Sequence, residues 1–134
     1  MRNITHYVIG LMFSPDSTKL VGILKHRPSF LAGLLNGVGG HVEEGESPAS
    51  AVRREFEEET GVVTREEDWK FFHTLSGPTY VMHCFYMHSD KYMEARTTTD
   101  EPIVVIDLRA APHAAWAPDM VSLIQLANKH TQVA

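Results

Sequence analysis

The sequence predicts an α/β fold, a β-sheet with helices packed on it. Three observations carry that prediction. Short β-forming runs recur between turn signals, one segment carries both caps of a helix, and the C-terminal segment has helical periodicity. The 134 residues suit one compact domain, expected to span 1–134.

The elements follow in order. Ile4–Phe13 is rich in β-formers, Ser14-Pro15-Asp16-Ser17 reads as a turn, and Leu20–Leu24 is a second apolar run, so the pair predicts a hairpin. The apolar part, Tyr7–Phe13, follows Arg2, but no small-residue cleavage site comes after it. It therefore reads as a strand and not as a signal peptide. Arg27–Gly40 holds Pro28, Gly33, Gly37, Gly39 and Gly40 and predicts a loop. Ser47 is a good N-cap, Pro48 fits a first helical turn, and Gly61 is a natural stop, so a helix is expected over Pro48–Thr60. Trp69–Leu75 and Tyr80–His88 predict a second hairpin around Ser76-Gly77-Pro78-Thr79, and Ile103–Leu108 a further strand. A last helix is expected from near Pro118, with Met120, Leu123, Ile124 and Ala127 at i, i+3, i+4, i+7 forming its apolar face.

Composition narrows the function. Hydrophobic residues at 43% supply a real core. A net charge of −5 argues against capture of a DNA or RNA backbone, which needs clustered Lys and Arg. A phosphate-rich small ligand stays compatible with an acidic protein if a metal bridges the two sets of oxygens. The single cysteine, Cys84, excludes an intrachain disulfide, fits a reducing cytoplasm, and reads as a small buried strand residue. No segment is long enough to span a membrane. The eight histidines lack tight metal spacing, and His83 and His88 point to opposite faces of one strand, so no zinc site is expected from them. Oligomeric state is left open.

The helix after Ser47 carries the chemistry. At ~100° per residue, Glu55, Glu58 and Glu59 fall on one stripe beside the apolar Ala49, Val52 and Phe56. Like charges four residues apart destabilise a helix unless something positive sits among them. A hard divalent cation is one candidate, because Mg²⁺ and Mn²⁺ favour carboxylate oxygens and also engage phosphates. On the helix alone, a solvated acidic face explains the pattern as well.

The surrounding sequence decides between them. Gly40 to Val62 matches the pattern G-x5-E-x7-R-E-U-x-E-E-x-G-U at all seven fixed positions: Gly40, Glu46, Arg54, Glu55, Glu58, Glu59 and Gly61. At ordinary residue frequencies such a match arises by chance on the order of a few times in a billion windows. The one mild departure is Phe56, where the pattern prefers an aliphatic side chain. The chain thus resembles a small, MutT-type Nudix hydrolase. The resemblance implies an α/β/α sandwich with a mixed β-sheet and substitution at phosphorus in a nucleoside diphosphate linked to another group. It implies Glu55, Glu58 and Glu59 as metal ligands and catalytic carboxylates, Arg54 pinning one of them, and Glu46 supporting the cluster. It makes the Gly39 carbonyl a metal ligand as well, and the expected cofactor is Mg²⁺, with Mn²⁺ as a substitute. Small members also place a further metal-binding or base carboxylate just before a late strand, here Glu101. No P-loop G-x4-G-K-[ST] is present.

For the substrate, Lys25 and Arg27 end the first hairpin and are candidates to meet phosphates; a plain surface role is as good a reading. The run Asn36-Gly37-Val38-Gly39-Gly40 is similar to the loop of oxidised-purine nucleoside triphosphatases, which carry asparagine-glycine-aromatic-glycine-glycine. Trp116-Ala117-Pro118-Asp119 is similar to their tryptophan-proline-aspartate-aspartate base pocket, with one residue inserted and Met120 in place of the second aspartate. Asn36 and Asp119 would then read base edges, with Trp116 stacking; Asp119 is equally a favourable acid in a first helical turn. The expected reaction is a nucleoside triphosphate cut to monophosphate and pyrophosphate. The rivals are a dinucleotide or nucleotide-sugar pyrophosphatase and a catalytically silent regulatory domain of the same fold.

Overall fold

A computed structural model describes residues 3–110 and 115–133. Among the described residues seven strands are present: β1 (Thr5–Phe13), β2 (Lys19–Leu24), β3 (Leu35–Asn36), β4 (Val38–His41), β5 (Lys70–Ser76), β6 (Tyr80–His88) and β7 (Ile103–Asp107). Two helices accompany them, α1 (Pro48–Thr60) and α2 (Met120–Val133). The central path runs β3-β2-β1-β6-β5, with β4 beside β1 and β7 beside β2. The sheet is mixed: β1 runs parallel to β6, while β4 is antiparallel to β1 and β7 to β2.

Strand alternation builds two cores, one on each face. Val8 and Met12 of β1 pack with Ala51, Val52 and Phe56 of α1. Ile9, Leu11 and Phe13 pack with Met120, Leu123, Ile124 and Ala127 of α2. The result is the expected α/β/α sandwich. Phe56 is fully buried, which stabilises the fold by roughly 1.5–3 kcal/mol relative to exposure. Its departure from an aliphatic residue is absorbed by a tilted contact with the Trp69 ring at 5.1 Å. Gly10 lets α1 approach: a Cβ there would lie 2.8 Å from Val52 Cγ2 and 3.0 Å from the Trp69 ring.

Helix α1 matches its signals. Ser47 Oγ accepts from the Ser50 amide at 3.1 Å, and Pro48 occupies the first turn. Gly61 takes φ 76°, and its amide closes the helix on the Glu57 carbonyl at 2.8 Å. The hairpin of β5 and β6 is antiparallel as expected. Cys84 is buried within β6.

Three expectations need correction. The stretch 27–40 is not all loop: Ser29–Leu31 forms a single 3-10 turn, and β3 and most of β4 lie within or against it. Its glycines mark close strand approach, since a Cβ on Gly39 would meet the Val8 carbonyl oxygen at 1.9 Å. The pair β1–β2 is barely a hairpin, with the register Phe13↔Leu20 at its base, because β1 spends its edges on β4 and β6. Finally, α2 starts at Met120, because Asp119 adopts φ 72°, outside helical geometry. No helix among the described residues is long and apolar enough to cross a membrane.

Candidate active site

The site is assembled where α1 crosses β4. Gly40 brings the two backbones together, and the Glu55 carboxylate lies on its Cα: a Cβ there would sit 2.5 Å from Glu55 Cδ. Arg54 ties the surrounding groups. Its Nε and Nη2 donate to both oxygens of Glu46 at 2.8 and 2.9 Å, a two-point fork. Its Nη1 donates to Glu55 at 3.0 Å and Glu58 at 3.2 Å, and Nη2 also reaches the His41 carbonyl at 3.0 Å. One guanidinium therefore holds the helix, the glutamate row and the end of β4 in register. The Arg54 hydrogen bonds keep the Glu46 carboxyl below the usual carboxylate range.

The three glutamates of the row are not equivalent. Glu55 is nearly enclosed, at 13% side-chain exposure, whereas Glu58 is 57% exposed. Burial pushes the Glu55 carboxyl up, and the charges of Glu58 and Glu59 add to that against the opposing pull of Arg54. Burial also raises Glu59, with Lys25 opposing and Glu101 reinforcing. Glu59 opens into a cleft of about 780 Å³. Gly39, Gly40, Lys25, Arg27 and Asn36 line the same cleft.

Glu101 is brought to this cluster, at 5% exposure. Lys25 Nζ donates to its Oε1 at 2.9 Å, and the amides of His26 and Arg27 donate to its Oε2 at 2.7 and 3.2 Å. Burial disfavours its charge, but these three donors outweigh burial and hold the carboxyl below its ordinary range. Both oxygens are thus engaged in clamping the end of β2, which orients Lys25. Arg27 forms a two-point pair with Asp100 on the exposed rim.

The base-pocket candidates divide. Asn36 and Asp119 both line the cleft. Trp116 does not stand among the lining residues; it packs against the α2-side core and its backbone bridges Leu35. Apolar walls that the sequence did not single out are Tyr7, Phe30, Leu75, Tyr80 and Met82, with Phe30 at 75% exposure beside the opening. Two threonines were also missed. Thr98 Oγ1 donates to the Glu58 carbonyl, and Thr99 Oγ1 to Glu59 Oε2 at 3.4 Å. The Thr97-Thr98-Thr99 run ahead of Asp100-Glu101 was the available signal.

Among the described residues, no three His, Cys, Asp or Glu side chains converge into a ready-made metal site. The donor chemistry nevertheless fits a hard cation. Glu55 and Glu59 are carboxylates kept partly from water, and each is destabilised by its acidic neighbours. A divalent cation would relieve that charge, and every candidate donor is oxygen.

Comparison with known proteins agrees with this geometry. The family model described as the NUDIX domain matches residues 5–127. A structure from work on MutT of Aliivibrio salmonicida and Vibrio cholerae is 19% identical, with TM-score 0.78 over 95% of this chain and 99% of that one. The NUDIX domain of Shewanella oneidensis NrtR, solved with ADP ribose, is 19% identical, with TM-score 0.84 over 98% and 90%. A MutT Nudix hydrolase from Burkholderia pseudomallei is 18% identical, with TM-score 0.76 over 93% and 98%. No curated protein matches by sequence. With the whole signature from Gly40 to Val62 folded around Arg54 and nearly the full chain matched, this protein belongs to the Nudix family, whose hydrolases act on phosphoanhydride bonds of nucleotide-like substrates.

Proposed function

We propose that this chain is a divalent-metal-dependent pyrophosphohydrolase that cuts a nucleoside triphosphate, including an oxidised purine, to monophosphate and pyrophosphate. The observation that carries the reading is the Arg54-pinned row of Glu46, Glu55 and Glu58 beside a cleft that Glu59 enters. Glu55, Glu58, Glu59 and the Gly39 carbonyl would hold Mg²⁺, or Mn²⁺ in its place. When bound, such an ion polarises phosphoryl oxygens and lowers the pKa of water.

The chain's own groups do the rest. Arg54 fixes the rotamers of Glu55 and Glu58, so the row meets the phosphates preorganised. Glu55, sheltered and with a raised pKa, is suited to accept a proton from the attacking water. Lys25, held by Glu101, presents positive charge to the phosphate chain. Asn36 and Asp119, which line the same cleft, would supply hydrogen-bonding groups for a base edge. Tyr7, Tyr80 and Phe30 supply apolar surface for its faces.

The test is product analysis with a panel of ordinary and oxidised nucleoside triphosphates in Mg²⁺. Pyrophosphate with monophosphate is expected; orthophosphate with diphosphate would overturn the internal cut. A second reading is a nucleotide-sugar pyrophosphatase, favoured by the ADP ribose bound to the Shewanella domain. ADP ribose in the same panel, turned over faster than every triphosphate, would select it.

A further inference from the structure

Two of the three glutamates in the α1 row are held from within the helix, and the third is held from outside it. Arg54 Nη1 donates to Glu55 and to Glu58. Among the described residues, the hydrogen-bond partner of the Glu59 carboxylate is instead Thr99, whose Oγ1 lies 3.4 Å from Oε2. Thr99 is 40 positions further along the chain, in the segment that leads into β7.

That segment is strapped to the end of the helix. The last carbonyls of an α-helix have no partner inside it. Two of them are taken here. The Arg96 amide donates to the Thr60 carbonyl at 3.0 Å, and Thr98 Oγ1 donates to the Glu58 carbonyl. At the other end the Ile103 amide donates to Thr97 Oγ1 at 2.9 Å, where β7 begins. Thr99 therefore stands on a stretch anchored on both sides. A threonine hydroxyl has one proton to give and lone pairs to receive. The Glu101 amide donates to Thr99 Oγ1 at 3.1 Å, which leaves the hydroxyl proton for Glu59. The carboxylate of the same Glu101 holds Lys25, whose charge acts on Glu59. One short segment thus ties Glu59 and Lys25 into a single arrangement.

We propose that Thr99 is a positioning residue that orients the Glu59 carboxylate in the cleft, as Arg54 does for Glu55 and Glu58. The inference rests on the proposed function, in which Glu59 is a metal ligand. An outer hydrogen bond that orients a ligand typically contributes about 10–100-fold to metal affinity. The Gly40–Val62 signature does not contain this part; the Thr97-Thr98-Thr99 run supplies it.

Two substitutions separate the hydroxyl from the rest of the side chain. Thr99→Val keeps its size and removes the hydroxyl, and Thr99→Ser keeps the hydroxyl. Thr99 is exposed, so both variants leave the cores intact. Mn²⁺ binding, followed by the EPR signal of the free ion, is expected to weaken about 10-fold or more in Thr99→Val and to stay near wild type in Thr99→Ser. Equal affinity in wild type and Thr99→Val overturns the role, and so does equal weakening in the two variants. Three-bond side-chain couplings of Glu59, measured by NMR in metal-free protein, give a readout independent of the proposed function. They should report one χ1 rotamer in wild type and Thr99→Ser and an average in Thr99→Val. Averaged couplings in the wild type, or the same couplings in all three proteins, overturn the inference. A wild type that shows the expected couplings but binds no Mn²⁺ would overturn the proposed function and support the orientation of Glu59 by Thr99.

Discussion

Glu55 rests its carboxylate on the bare Cα of Gly40, with 2.5 Å between Glu55 Cδ and the place where a Cβ would be. Strand β4 and helix α1 are therefore in register only because residue 40 has no side chain. Gly40→Ala should push the Glu55 carboxylate aside while leaving both cores intact. We expect kcat to fall by about 10²-fold, the effect of ångström-scale misplacement, with a near-normal thermal midpoint. Steady-state kinetics beside a melting curve checks it; unchanged kcat would remove Glu55 from the reacting centre.

Metal dependence is the first expectation of the proposed function, supported by the oxygen-only donor set. Activity should vanish in excess chelator and return with Mg²⁺ or Mn²⁺. Glu58→Gln and Glu55→Gln should each lower kcat strongly with the fold retained, because in the proposed function these groups act on the transition state and not on the core. Circular dichroism reports the fold and turnover reports the chemistry. Near-wild-type rates in both variants with saturating metal would mean that this helix is not the active site.

Arg54→Lys keeps the charge but loses the fork that grips Glu46, Glu55, Glu58 and the His41 carbonyl together. Stability should drop by about 1–3 kcal/mol, since several partly buried acceptors lose a donor. Activity should drop alongside, as the glutamates regain rotamer freedom. Urea unfolding measures the first and kcat the second; a variant as stable as wild type would show that the fork is not structural.

Asn36→Ala probes the base end of the cleft. If Asn36 contacts the base as proposed, the variant should raise KM and blur discrimination between bases, with a smaller effect on kcat, because the glutamate row is left alone. Competition between two nucleoside triphosphates gives the ratio of kcat/KM directly. An unchanged ratio would take Asn36 out of the pocket.

Cys84 gives a pH-dependent outcome. Burial, with the Asp119 charge adding to it, pushes the thiol up to about 12 from its ordinary value of 9.0. The folded pKa is the higher one, so the contribution to stability is whole below pH 9.0 and is lost as pH rises toward about 12. Unfolding measured across that window should show a falling slope that Cys84→Ala reduces. At pH 8, iodoacetamide should alkylate the folded protein far more slowly than the urea-unfolded chain.

Much of this was legible in the sequence, for identifiable reasons. The caps Ser47 and Gly61 and the apolar face of Met120, Leu123, Ile124 and Ala127 act locally, so pattern reading finds them. The residues of the Gly40–Val62 signature lie on one loop and one helix, and sequence spacing translates into position. What escaped was non-local. The glycines of 37–40 look like loop because close strand approach and tight turning use the same residue. Trp116 matched a motif, yet its place is decided by Leu35 and the α2-side core. Glu101 reads as a free carboxylate until β7 docks beside β2 and delivers it to Lys25 and two backbone amides. His6 and His83 hydrogen-bond at 3.0 Å across 77 positions, and only through the parallel pairing of β1 with β6.

That parallel pairing has a kinetic consequence. β1 bonds to β6 along its whole length and to β4 on its other edge, and its alternate side chains enter both cores. Opening β1 therefore means separating both layers at once, so its amides, together with those of β6, should exchange with deuterium only through global unfolding. The 3-10 turn at Ser29–Leu31 buries none of its residues and should exchange quickly. The cleft then has one wall expected to exchange only with the whole molecule and one rim, bearing Phe30, expected to exchange independently of it.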